Sequence, residues 1–283
     1  MEARRRFVFR GNAAAFGGRL FRPTDIVIEA SGASCLPVTG GRSRSRIPTV
    51  AFGDVIRIGS AFTLAEGFFD SAAQAIDLTN HNVAEDSLTT STTVSAEVDD
   101  LAVGRKPVLT AKKVLATFRS RSPFGSGEPG IALDRETAIE GLAIDGFARA
   151  VEFDSQLFQQ YDTRAKLVAA ADDPAFVRAH GTCLYMTSTY EGQAAPPAGR
   201  LIERNGIIYA TIVRSLRWAA APHPTAKIDG NTIVVPDLGR VFIGEMLITG
   251  SSRRLTMLRF ELGSPDGGFV AAVDVDSNGG WSP

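Results

Sequence analysis

Polar and apolar residues alternate along residues 89–119. Val94, Ala96, Val98, Leu101 and Val103 mark one run, residues 104–107 break it, and Val108, Thr110, Val114 and Ala116 mark the next. A period of two predicts two antiparallel strands and a turn, with one dry face and one wet face. A lone hairpin is marginal in water, so the dry face predicts a second sheet to cover it. Shorter alternating runs at 6–10, 25–30 and 49–66, and later at 201–218, 241–249, 255–262 and 269–275, are the strands available for that sheet. Asp145 and Gly146, Asn205 and Gly206, and Asp229 and Gly230 each sit between apolar runs, as two-residue hairpin turns require. The fold class expected is all-β: an antiparallel β-sandwich or barrel, built as one domain over 1–283. The Ser-, Pro- and Gly-rich loop at 120–130 is the best internal boundary.

One segment breaks the β pattern. Through 154–180 β-branched residues thin out, and Ala, Leu, Gln, Lys and Arg take over. Asp154 or Ser155, Asp162 or Thr163, and Asp172 or Asp173 before Pro174 are placed to start three short helices. A helical insertion of this kind serves as cover for a sheet or as a lid over a site.

Composition narrows the partners. The 283 residues are 44% hydrophobic and 22% charged with a formal net charge of -1, which supplies no field for nucleic acid or an anionic membrane surface. Arg42, Arg44 and Arg46 would share one face of a strand, but no aromatic lies between them to stack a base, so a charge-protected strand edge is expected. No apolar run is long enough for a signal peptide or a membrane span. A cytoplasmic location is therefore expected, and a surface location would require another export route. Cys35 and Cys183 are expected as free thiols.

Candidate chemistry is sparse, and whether the chain is an enzyme stays open. The three histidines belong to no HExxH pattern, no GxSxG elbow occurs, and no cofactor motif is present. Tyr161, His180, Tyr185 and Tyr190 are the polar groups that would line a pocket under the helical insertion. Asp274, Asp276, Asn278 and Gly279 match the first half of a calcium loop, although the closing glutamate is missing. The leading expectation is a non-catalytic β-rich module that self-assembles, as a homo-oligomer, or binds a protein partner. The alternative is a barrel that holds a small apolar ligand and acts on it as an enzyme, with the insertion as its lid.

LPVTGG at 36–41, TTVSAEVDDLAV leading into VLTAKKVLA, AIEGLAIDG at 138–146 and DLGRVFIGE at 237–245 occur in an order that resembles bacterial proteins of the choice-of-anchor P type. The resemblance implies an all-β domain of bacterial origin, usually exported and held at the surface, with an undefined biochemical role. It transfers no site residues. The chain departs from that pattern in lacking a leader and an anchoring tail and in carrying the helical insertion.

Overall fold

The alternating stretch at 89–119 is an antiparallel hairpin of two long strands, paired from Val103 and Leu109 at the turn to Thr89 and Pro123 at the far end. In a computed structural model, residues 7–70, 89–106, 108–123, 128–184 and 202–281 are described. The first strands are β1 (Phe7–Val8), β2 (Gly11–Leu20), β3 (Ile26–Cys35), β4 (Gly41–Ile47), β5 (Val50–Phe52), β6 (Ile56–Ile58) and β7 (Ser60–Phe69). The long hairpin is β8 (Thr89–Val103) and β9 (Leu109–Pro123), followed by β10 (Gly130–Leu133), β11 (Ala138–Glu140), β12 (Ala143–Ile144) and β13 (Phe147–Phe153). The insertion holds α1 (Leu157–Gln160), α2 (Arg164–Ala170) and α3 (Pro174–His180), then a 3-10 turn at Gly181–Leu184. After it come β14 (Ile202–Arg204), β15 (Ile207–Thr211), β16 (Val213–Trp218), β17 (Lys227–Asp229), β18 (Thr232–Val235), β19 (Gly239–Ile248), β20 (Ser252–Leu262), β21 (Gly268–Asn278) and β22 (Gly280–Trp281).

Two antiparallel sheets form an open sandwich. The first runs β16-β13-β12-β9-β8-β6-β5, with β7 joining β8 to the edge strand β4, and β10 and β11 also pairing with β9. The second runs β14-β15-β19-β20-β21-β2-β3. β3 comes close to β4 at one corner but forms no ladder with it, so the sandwich does not close into a barrel. That corrects the barrel half of the sequence expectation. β7, β8 and β9 pack on β2 and β21, where Val94, Ala96, Val98, Phe16, Ala272 and Val275 are all buried. Alanine at many inward positions brings the sheets close, and two hydroxyl pairs bridge the gap: Ser34 to Thr63 at 2.8 Å and Ser120 to Ser277 at 2.7 Å. Each member of these pairs satisfies the other, as buried hydroxyls require.

Both sheets are creased across their strands. In the second, the pairing skips Gly32, Ala15, Val273, Met257 and Gly244 at one level of five neighbouring strands. Gly32, Val273 and Gly244 have φ of 59°, 57° and 61°. In the first, Asp100 (φ 50°) and Lys112 are skipped, and Gly141 (φ 63°) lies against Lys112. Each skip drops one residue from both paired strands and leaves the register unchanged, so it is a kink that flips pleat parity and no bulge. Inward residues therefore pass from Val94, Ala96 and Val98 to Leu101 and Val103 without losing the core. A β-branched residue at positive φ is strained, and Val273 is held there fully buried.

The turn chemistry is borne out at Asp145-Gly146 (φ 48° and 78°) and Asn205-Gly206 (φ 52° and 76°). The third turn sits one residue later than its signal: Asp229 pairs with Thr232, so Gly230 and Asn231 make it. Residues 120–130 connect β9 to its own antiparallel partner β10.

Candidate functional site

A buried carboxylate anchors the insertion at its start. Asp154 leaves β13 with its amide bonded to the Ile212 carbonyl, and its Oδ1 accepts from the amides of Gln156 (3.2 Å) and Leu157 (3.0 Å) to start α1. Thr163 accepts from the Lys166 amide to cap α2, and Asp173 accepts from the Ala175 amide to cap α3, where Pro174 takes the first helical position. α3 returns His180 to the anchor, so its Nδ1 donates to Asp154 Oδ2 at 2.6 Å. The Cys183 thiol then donates weakly to the same oxygen (3.8 Å) and to the Val213 carbonyl (3.6 Å). Asp154, His180 and Cys183 are all buried.

This cluster has the residue types of a nucleophilic triad in the wrong order. Catalysis needs the imidazole between carboxylate and thiol, so that it can take the thiol proton. Here the carboxylate lies between the other two. Burial, and then the Asp154 charge, push the Cys183 thiol up to about 12, which keeps it protonated. The arrangement locks the insertion to β13 and β16.

Of the predicted pocket residues, Tyr161 and His180 do come together, with ring centroids 5.8 Å apart, and Phe176 lies 4.6 Å from Tyr161. Tyr185 and Tyr190 lie outside the described residues. Leu157, Phe158, Leu167, Phe176 and Cys183 are each no more than 2% exposed and occupy the space beneath the insertion. The contacts there are those of packed core.

The residues of the calcium-loop match end a continuous strand, with Gly279 just beyond it. Asp274 and Asp276 share the outer face of β21, and Asn278 ends that strand opposite Ser252. Arg254 grips both Asp274 oxygens (2.9 and 2.7 Å), and Thr256 donates to one of them. Burial raises the Asp276 carboxyl above its ordinary value, and Ser252 donates to it at 3.1 Å. Both Asp274 oxygens are thus taken by protein donors rather than converging with Asp276 on one ion. Among the described residues, no group of three or more His, Cys, Asp or Glu side chains is placed to hold a metal ion.

The outer faces of the two sheets differ. On the second, Arg254 pairs with Asp274, and Arg259 forks onto Glu245 and also reaches Glu261, so the strands are laced by ion pairs. On the first, a groove of about 800 Å³ opens over β7, β8, β9 and β10. Its depth follows from residue size. The outward row of β8 is Ser91, Thr93 and Ser95, all short, between Leu64, Glu66 and Phe68 on β7 and Thr117, Arg119 and Arg121 on β9. A cross-strand row runs Arg42, Glu66, Thr93, Arg119, Ala132. Asp162 of the insertion lines one end. The row of hydroxyls and its β9 flank were present in the hairpin of 89–119; the other flank comes from β7, a strand that sequence does not place beside β8.

A family model for a domain of unknown function, DUF8256, matches residues 7–249. The chain belongs to the DUF8256 family. No curated protein and no solved structure matched it. The DUF8256 match ends before β20 and β21, yet β21 pairs with both β20 and β2 in the interior of the second sheet. The folded unit of this DUF8256 member therefore continues to Trp281, where β22 pairs with β1. Among the described residues, no helix is long and apolar enough to cross a membrane.

Proposed function

We propose that this DUF8256 chain is a non-catalytic binding module that holds its partner against the solvent face of the first sheet. The observation that carries this reading is the groove over β7, β8 and β9, whose volume of about 800 Å³ falls within the range of ligand sites. The nearest approach to a catalytic constellation, Asp154 with His180 and Cys183, is buried and arranged as a lock, which favours binding over turnover. The depression over the outer face of the second sheet is smaller, about 370 Å³, so the first sheet is the better surface.

Native mass spectrometry of the full chain tests the reading. The expected result is a species heavier than the 30.1 kDa chain, either a multimer or a chain with added mass, that reverts to bare chain in Thr93→Trp. That substitution fills the groove floor from a solvent-facing strand position, where an aromatic residue suits the sheet. A heavier species that survives Thr93→Trp would place the binding surface elsewhere.

A further inference from the structure

We infer that the occupant of the groove is a neutral oligosaccharide, an inference that rests on the binding face proposed above. Three observations lead there: the length of the site, the balance of its charges, and the mixture of hydroxyl and apolar surface along its floor.

The groove is elongated. Beyond Leu64 a second depression of about 540 Å³ continues along β7 and β8, lined by Arg46, Phe62, Glu97 and Asp99 among others. From the row of Phe62 to the row of Phe68 the seam covers roughly 20 Å at strand rise, a length suited to a chain of several sugar rings.

The charges lining its larger part are already met. Arg121 lies 3.7 Å from Asp70, Arg119 is paired with Asp134, Lys113 with Glu97, and Asp162 with Lys166. Glu66 is held by Arg42, and Arg46 lies over the Phe62 ring. Within the 800 Å³ groove a phosphate or carboxylate ligand would have to break such pairs to find a cation, whereas a neutral ligand leaves them intact. Paired carboxylates and guanidinium groups still offer free lone pairs and N–H groups along their outer edges, and these suit neighbouring sugar hydroxyls.

The floor supplies both remaining contacts. Thr93 presents a hydroxyl that donates and accepts, beside the Ser95–Thr117 pair at 2.8 Å. Leu64 lies next to it, and Phe68 at one bank is 44% exposed. A pyranose ring has this same division, with hydroxyls at its rim and a C–H face that stacks on an aromatic ring. An extended peptide fits less well, because its backbone N–H and C=O groups would lie over a sheet face that presents only side chains.

Titration of the ¹⁵N-labelled full chain with short neutral oligosaccharides tests this: β-1,4- and α-1,4-glucans, mannan, xylan and N-acetylglucosamine oligomers. At least one should give saturable amide shifts centred on Leu64, Thr93 and Thr117. Phe68→Ala should weaken it about tenfold, and Thr93→Trp should abolish it while the unfolding midpoint stays near that of the parent. The inference is overturned if none saturates by about 10 mM, if Thr93→Trp binds as the parent does, or if inorganic phosphate or an acidic saccharide binds the groove more tightly. Failure of the sugars together with a heavier native species that Thr93→Trp removes would overturn the ligand class and leave the binding face standing. Failure of both would remove the face as well.

Discussion

Replacing Glu128 by alanine should destabilise the chain by about 4 kcal/mol, although Glu128 lies in a loop and touches no part of the groove. Its Oε1 accepts from Arg253 Nη2 at 2.6 Å, and the Arg253 side chain is fully buried while Glu128 is 20% exposed. The same carboxylate receives the amides of Arg164 and Ala165 at the start of α2, so one side chain joins the insertion to β20 of the second sheet. Burial lowers the Arg253 guanidinium from its ordinary value, against the opposing pull of Glu128. Deleting the carboxylate strands a buried cation, which costs about 3–5 kcal/mol. The two α2 amides also lose their acceptor, worth about 1 kcal/mol. Arg253 keeps the Thr249 and Ser252 carbonyls, which places the total near the middle of that range. Urea unfolding followed by tryptophan fluorescence should show the midpoint falling by about 1 M. Arg253→Met added to Glu128→Ala should recover at least about 2 kcal/mol, because the orphaned charge is then gone. A loss below about 1 kcal/mol in Glu128→Ala, or no recovery in the double variant, would refute the view that this ion pair ties the insertion to the second sheet.

Three further outcomes follow from the same structure. In the native chain at about pH 8 only Cys35, which is exposed, should react with a chromogenic thiol reagent, and Cys183 should join it on unfolding; two fast native thiols would contradict the buried lock. Arg149→Met should stabilise the chain by about 1 kcal/mol at neutral pH, because the buried guanidinium lies on the Trp218 ring with none of its nitrogens hydrogen-bonded. Burial pushes the Arg149 guanidinium down from its ordinary value, to about 9, and a variant weaker by more than about 1 kcal/mol would mean that the indole stack outweighs the burial penalty. A chain ending at Thr249 retains the whole DUF8256 match yet should fail to fold, since it removes β20 and β21 from the interior of the second sheet; a cooperative thermal transition in that chain would refute the boundary drawn here.

Much of the fold was legible because its signals are local. Alternation in β8 and β9, the Asp145-Gly146 and Asn205-Gly206 turns, and the Thr163 and Asp173 caps each depend on neighbours within a few residues, so the chain carries them wherever it goes. The creases were legible too, had parity been followed. Inward residues step by three from Val98 to Leu101 and from Ala111 to Val114, which an unbroken strand cannot do. Less of the candidate site was readable. The sequence singled out His180 and Tyr161, but not that Asp154 would stand between His180 and Cys183 and hold the thiol protonated.

Sequence alone thus determined the all-β class, the hairpins and the place of the helical insertion, since backbone propensity, turn geometry and capping act over short range. Tertiary structure decided the strand order, with β21 entering between β20 and β2, and the pairing of Glu128 with Arg253 across 125 positions. It also decided which polar row became a groove, because the depth at Thr93 depends on Glu66 arriving from β7 on the side away from the hairpin partner β9. Such pairings are chosen by the burial of whole faces, a property of two sheets together that no short stretch of chain encodes.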